Sequence, residues 1–210
     1  MTDTATGTVR AETGARRLRT LLIGCGALAR EILALIEREG WDHMELTCLP
    51  AIWHNTPGKI PDGVREKIRA NRDRYDRIFC VYADCGTGGA LDRVLAEERV
   101  DRLPGPHCYA TYAGQGAFAK MAERDPACFY LTDYLVRHFD RLIVEGLGID
   151  RFPELTEMYF GNYTTLVYLA QTDDPELDRQ ARAAADRLGL SYHRDLTGFG
   201  ELEAELARFG

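Results

Sequence analysis

The sequence predicts an α/β fold, a three-layer sandwich built on a mainly parallel sheet. Three observations predict it. Short apolar runs alternate with amphipathic helical stretches along the chain. Several runs are apolar at consecutive positions, as strands covered on both faces are. Glycine-rich turns lead from a run into the following helix at Gly24-Cys25-Gly26 and at Gly86-Thr87-Gly88-Gly89. A parallel sheet wound in this way is Rossmann-like or flavodoxin-like.

Leu18 to Ile23 reads as the first strand, followed by the Gly24-Cys25-Gly26 turn. Leu28, Ile32, Leu35 and Ile36 then share one helical face, and Gly40 stops that helix. Met44 to Leu49 is the second strand. Pro50 to Asp62 is a long irregular segment holding Trp53, His54 and three prolines. A helix from Gly63 to Asn71 leads to a third strand, Arg77 to Tyr82. Asp84 to Gly89 forms the second glycine turn, and a helix runs from Ala90 to Arg99. Val100 to Leu103 is a short fourth strand ending in Pro104-Gly105-Pro106-His107-Cys108-Tyr109. A helix through Phe118 and Met121 follows, then a strand at Phe129 to Leu131. Thr132 caps a helix expected to reach Glu145. The last third repeats the alternation: helix Pro153 to Asn162, strand Leu166 to Ala170, helix Pro175 to Leu188, strand Tyr192 to Asp195, helix Leu202 to Phe209. Residues 1–17 read as a disordered tail and 18–210 as a single domain.

Composition narrows the function. The formal net charge is −7, which disfavours a general nucleic-acid or anionic-membrane surface. No apolar run approaches the ~20 residues of a membrane span. The N-terminus is polar, carries Arg10, Arg16 and Arg17, and lacks the apolar stretch of a secretory signal. A cytoplasmic setting follows as an expectation, and six cysteines there imply reduced thiols with packing, metal-binding or catalytic roles.

In open α/β sheets, ligands bind beyond the carboxyl ends of the strands. Each of the first four strands delivers a distinctive residue there: Cys25, then His54, then Cys85, then Cys108 beside His107. Strands lie ~4.8 Å apart, so thiols at neighbouring ends converge without long loops. Soft thiolates suit zinc and iron–sulfur clusters. Three protein ligands leave a fourth position open. Cys25, Cys85 and Cys108 are therefore the candidate metal ligands, and His54 is a fourth ligand or a general acid/base. Asp84 is a catalytic or ligand-orienting candidate, with Asp133 a further orienting residue. The helices after Cys25 and Cys85 are expected to lower the thiol pKa values. Cys48, Cys80 and Cys128 read as packing residues. The Pro50 to Asp62 segment is expected to fold over this edge, with His54 inward and Trp53 either shielding the pocket or anchoring the loop to the core. The expected strand order is 2-1-3-4, which makes the three cysteine strands consecutive.

A competing reading uses the same turn. Gly24-Cys25-Gly26-Ala27-Leu28-Ala29 fits G-x-G-x-x-A between a strand and a helix. Gly24 and Gly26, with Gly86, Thr87 and Gly88 of the second turn, are candidates to cradle a nucleotide through backbone amides. The acidic residue expected at the end of the second strand is missing, since Cys48, Leu49 and Pro50 stand there. A third reading is a non-catalytic partner protein with structural cysteines.

The same motifs carry a resemblance. Gly24-Cys25-Gly26-Ala27-Leu28 with Glu31, Leu49-Pro50-Ala51 with His54-Asn55, and Asp84-Cys85-Gly86-Thr87-Gly88-Gly89 stand in order. Gly105-Pro106-His107-Cys108-Tyr109 and Leu131-Thr132-Asp133 follow. Together, from Leu21 to Gly200, they resemble the bacterial and archaeal DUF1638 family. The family name carries no established reaction. The resemblance implies association with corrinoid-dependent methyl transfer, with a corrinoid protein or a methyltransferase as partner. By analogy, a zinc-thiolate or iron–sulfur centre is the implied cofactor.

Overall fold

The computed structural model describes residues 17–210, so nearly all of the expected tail lies outside the described residues. Among the described residues seven strands, parallel within each sheet, alternate with helices in a mixed α/β architecture of Rossmann- and flavodoxin-like type. The strands are β1 (Thr20–Cys25), β2 (Met44–Leu49), β3 (Arg77–Val81), β4 (Asp101–Arg102), β5 (Cys128–Thr132), β6 (Thr165–Ala170) and β7 (Ser191–Leu196). The first four form one sheet in the order β2-β1-β3-β4, the order expected from the cysteine positions. The last three form a second sheet, β5-β6-β7.

One continuous sheet was expected, and the split has a local cause. β4 pairs with β3 over only two positions, Phe79↔Asp101 and Cys80↔Arg102. Pro104 and Pro106 follow at once, and proline has no N–H to donate to a ladder. The edge stops growing there, and β5 nucleates separately on β6 across five paired positions.

In each sheet the fully covered strand is the most apolar. β1 (TLLIGC) is buried at every position, and β6 is buried from Leu166 to Ala170. Each sheet has its own core. The first gathers Leu22, Ile23, Phe79, Tyr82 and Leu103; the second gathers Leu131, Leu166, Tyr168 and Ala181. α1 (Ala29–Glu39) packs on the first core through Ile32 and Leu35 and ends at Gly40, whose φ of 62° closes a left-handed cap. α2 (Ile60–Asn71) and α3 (Ala90–Glu98) pack side by side against the same sheet. α4 (Cys108–Ala113) and α5 (Gln115–Arg124) bridge towards the second sheet.

Thr132 caps α6 (Asp133–Arg137), accepting from the Leu135 amide. The expected single helix to Glu145 is broken. α6 ends at His138, and a π-helical turn follows over Asp140–Val144. α7 (Leu155–Phe160) and α8 (Pro175–Leu188) cover the second sheet, α8 capped by Asp174 with Pro175 in its first turn. α9 (Glu201–Ala207) returns to the first core through Leu202 and Leu206. The Pro50 to Asp62 segment is ordered as 3-10 turns over Ala51–Asn55 and Pro57–Lys59, with α2 beginning three residues earlier than expected. Among the described residues, no helix is long and apolar enough to cross a membrane.

Candidate functional site

Three strand ends meet at the carboxyl edge of the first sheet. Cys25 is the last residue of β1 and is buried, with its Sγ accepting from the Ala27 amide at 3.3 Å. Beyond β3 the chain reaches Cys85, where the following segment is tied to it. The Asp84 amide donates to Gly105 O at 3.1 Å and the Cys85 amide to Pro106 O at 2.8 Å. Those bonds bring the start of α4, and so Cys108, against Cys85. Cys85 itself has φ of 50°, a left-handed conformation that glycine would adopt without cost. Cys85 and Cys108 are half-buried.

The three thiols influence one another. Burial pushes Cys25 up to about 11 and Cys85 up to about 12, with the Cys25 charge adding to the shift at Cys85. Burial also raises Cys108 well above the ordinary thiol value, and Cys85 and then Cys25 raise it further. The expected lowering by helix termini is overturned. β1 is followed by a 3-10 turn, and α3 starts only at Ala90, five residues beyond Cys85. Desolvation outweighs what remains, chiefly the Ala27 amide at Cys25.

Asp84 is held in the turn beside Cys85, whose pKa its charge helps to raise. Its carboxylate accepts from the Thr87 hydroxyl (2.7 Å), the Gly89 amide (2.9 Å) and the Gly88 amide (3.2 Å), which hold it below the usual carboxylate range. It organises the turn. The same bonds bear on the nucleotide reading, because the amides at Gly88 and Gly89 already have an anion. The turn at Gly26 is also covered: a Cβ there would lie 3.3 Å from Leu49 O and 3.5 Å from Ala51 N. Gly24 is packed under Ile32 and Leu46.

His54 reaches the site from the segment after β2. Its Nδ1 lies 3.0 Å from Ala51 O and 3.7 Å from Cys25 Sγ. A carbonyl only accepts, so Nδ1 is the donor in that bond. The His54 ring lies nearly parallel to Tyr82, with centroids 6.2 Å apart. Trp53 turns the other way and packs against Gly63 of α2, anchoring the segment to the core rather than shielding the thiols. His107 lies in an aromatic cluster with Tyr109 and Phe118, where burial lowers its pKa. Of the other cysteines, Cys80 is fully buried, while Cys48 and Cys128 are half-buried.

Two buried polar residues near the site have no role in the sequence reading, although Glu31 stands in one of its motifs. Tyr82 is fully buried beside Cys25, whose pKa it lowers, yet its hydroxyl completes no hydrogen bond of good geometry. Glu31 is 6% exposed with Oε2 lacking a partner; burial and then Asp133 raise its pKa, and its charge acts on Cys108 and Tyr112. A signal existed for Glu31, since it stands three residues after Leu28 and four before Leu35 on the buried stripe. Asp133 is a hub of the second sheet. It accepts from Tyr168 Oη, the Gln171 amide and the Thr172 hydroxyl, locking α6 to the end of β6.

Beside the thiols lies a cavity of ≈ 230 Å³ lined by Ala27, Ile52, His54, Cys108, Tyr109 and Ile143 among others. A larger one, ≈ 640 Å³, opens between α6 and α8 and contains none of the sequence-predicted site residues. Among the described residues, no group of three or more His, Cys, Asp or Glu is already arranged to hold a metal ion.

Fold and site together define an α/β protein with a thiol-bearing strand edge. The chain belongs to the family described as "Protein of unknown function (DUF1638)", which matches over residues 48–206. That span includes His54, Cys85 and Cys108 and begins after Cys25. No curated protein matches the chain.

Proposed function

We propose that this chain is a cysteine-centred metalloprotein. Cys25, Cys85 and Cys108 take up a soft metal centre, zinc or an iron–sulfur cluster. The protein acts in the cytoplasm as an enzyme of corrinoid-dependent methyl transfer or as an accessory factor to it. The observation that carries the metal reading is that Cys25, Cys85 and Cys108 lie at or beyond the carboxyl ends of three adjacent strands and influence one another electrostatically. Without a metal the three are protonated thiols; to act as thiolates together under low dielectric they would need a cation, and soft thiolates select soft metals. His54 is the fourth ligand or the general acid/base in this reading, and what supports it is the approach of its Nδ1 to 3.7 Å from Cys25 Sγ, a nitrogen it shares with Ala51 O at 3.0 Å. Among the described residues the three cysteines are not already grouped as a metal site, so the reading requires them to draw together on metal uptake. The methyl-transfer setting rests on the family resemblance.

Anaerobic purification followed by measurement of zinc, iron and acid-labile sulfide tests this. One centre per chain is expected, lost in Cys25→Ala, Cys85→Ala and Cys108→Ala and kept in Cys48→Ala, Cys80→Ala and Cys128→Ala. Metal-free wild type, or equal loss in both sets, overturns the reading.

A further inference from the structure

We infer that the ≈ 230 Å³ cavity beside Cys108 and His54 is the substrate pocket, and that it takes a small, neutral, largely apolar molecule. None of the 13 residues lining it is Asp, Glu, Lys or Arg. In a chain with 28% charged residues, about four would be expected by composition alone. Binding a charged ligand there would leave its charge unpaired at a heavy desolvation cost. The size is also selective, falling below the roughly 300–1,000 Å³ of sites for drug-sized ligands. A nucleotide or a macrocyclic cofactor therefore does not fit inside.

The cavity is built by both halves of the chain. Ala27, Ala51 and Ile52 come from the segments after β1 and β2; Thr132, Tyr134 and Leu135 come from β5 and α6. Leu142 and Ile143 come from the π-helical turn, a device that recurs at functional sites because it widens one turn of a helix. Polar groups are few: His54, Asn55, Cys108, Thr132 and the Tyr109 and Tyr134 hydroxyls. An apolar cavity with a few convergent polar groups is the usual form of a small-molecule site. With Nδ1 tied to Ala51 O, His54 has Nε2 as its other ring nitrogen for a neutral ligand.

The assignment rests on the thiol edge being the working site, but the cavity needs no metal. The test therefore uses metal-free full-length protein, so that failure of the metal reading and failure of this one are separable. Dimethyl sulfide and toluene serve as neutral probes, with acetate and methylammonium as charged probes of small size. Binding is followed by two-dimensional NMR. The neutral probes should titrate saturably and shift Tyr109, Tyr134 and Ile143; the charged probes should not. Ile143→Trp should abolish the shifts by filling the cavity. Ile52→Asp places a charge at the rim, where the wild-type side chain is 50% exposed and folding is safe. It should weaken neutral binding about tenfold. Equal titration by charged probes, or unchanged binding in Ile52→Asp, overturns the assignment. So does absence of neutral-probe shifts at tens of millimolar probe.

Discussion

Trp53 is held in place by the absence of one carbon atom, and Gly63→Ala tests that. Gly63 lies in the first turns of α2, and a Cβ there would meet the Trp53 ring, with Cη2 2.9 Å away. Leu49 Cδ2, at 3.3 Å, closes the other side. In an unconstrained helix, glycine to alanine stabilises by about 0.5–1 kcal/mol. Forcing a carbon into a filled contact costs about 1–3 kcal/mol. The clash should win, giving a net loss of about 1 kcal/mol. At about 2–4 °C per kcal/mol for a chain of this size, the melting temperature should fall by a few degrees. The discriminating measurement is a double-mutant cycle. With Trp53→Ala in the background the obstacle is gone, and Gly63→Ala should become stabilising by about 0.5–1 kcal/mol. Urea unfolding followed by circular dichroism reads both differences. The same sign in both backgrounds would refute the argument that the indole fills the space above Gly63. Because His54 is the next residue, the single variant should also move the His54 ring relative to Cys25, visible in its imidazole nitrogen shifts.

Three further outcomes follow from the electrostatics. With a pKa of about 11, Cys25 in the metal-free protein is about one part in a thousand thiolate at pH 8, so iodoacetamide should label it about 100-fold more slowly than after unfolding in urea; equal rates would refute its desolvation. Asp84→Ala should cost about 1–2 kcal/mol by freeing the Gly88 and Gly89 amides while leaving metal content intact. Its lowered pKa means that this stabilisation is present above the ordinary aspartate range and fades as pH falls through the folded value, so the variant and wild type should converge in acid. Glu31→Gln should stabilise at neutral pH. The raised pKa makes the folded state bind the extra proton, so wild-type stability falls as pH rises from the ordinary glutamate value through the raised one, against a background of Asp133, Arg30 and Arg137. The gain should vanish near pH 4, measured by urea unfolding across the pH range.

Much of this was legible in the sequence because it is local. The glycines around Cys25 and Cys85 mark strand ends, and the alternation of runs and helices fixes a parallel arrangement. The order β2-β1-β3-β4 followed from asking which order brings the cysteines together. What escaped is non-local. The break between the sheets depends on a two-residue β4 stopped by Pro104 and Pro106, which looks like any strand-to-turn transition in sequence. The Trp53–Gly63 contact joins residues ten positions apart in different elements. The buried hydroxyl of Tyr82 and the buried carboxyl of Glu31 are polar groups in apolar surroundings, against the ordinary preference. The thiol pKa values went the wrong way because helix starts are visible in sequence and desolvation is not.

The direction of those shifts bears on what the thiols are for. A nucleophilic or redox-active cysteine is kept near neutrality by a nearby cation or a helix start, so that the thiolate is available. Cys25, Cys85 and Cys108 are held on the opposite side, and all six cysteines are free thiols. Burial thus works against thiolate formation at all three. Pure packing accounts poorly for Cys85, whose left-handed backbone costs about 1–2 kcal/mol that glycine would avoid. Strain of that kind persists where the surrounding structure enforces it and is concentrated at functional sites. Packing also fails to explain why Cys108, half-buried, lines a cavity free of charged side chains. A cation that arrives from outside reconciles these observations. In the proposed reading it would supply the positive charge the edge lacks, convert three reluctant thiols into ligands, and sit next to the apolar cavity.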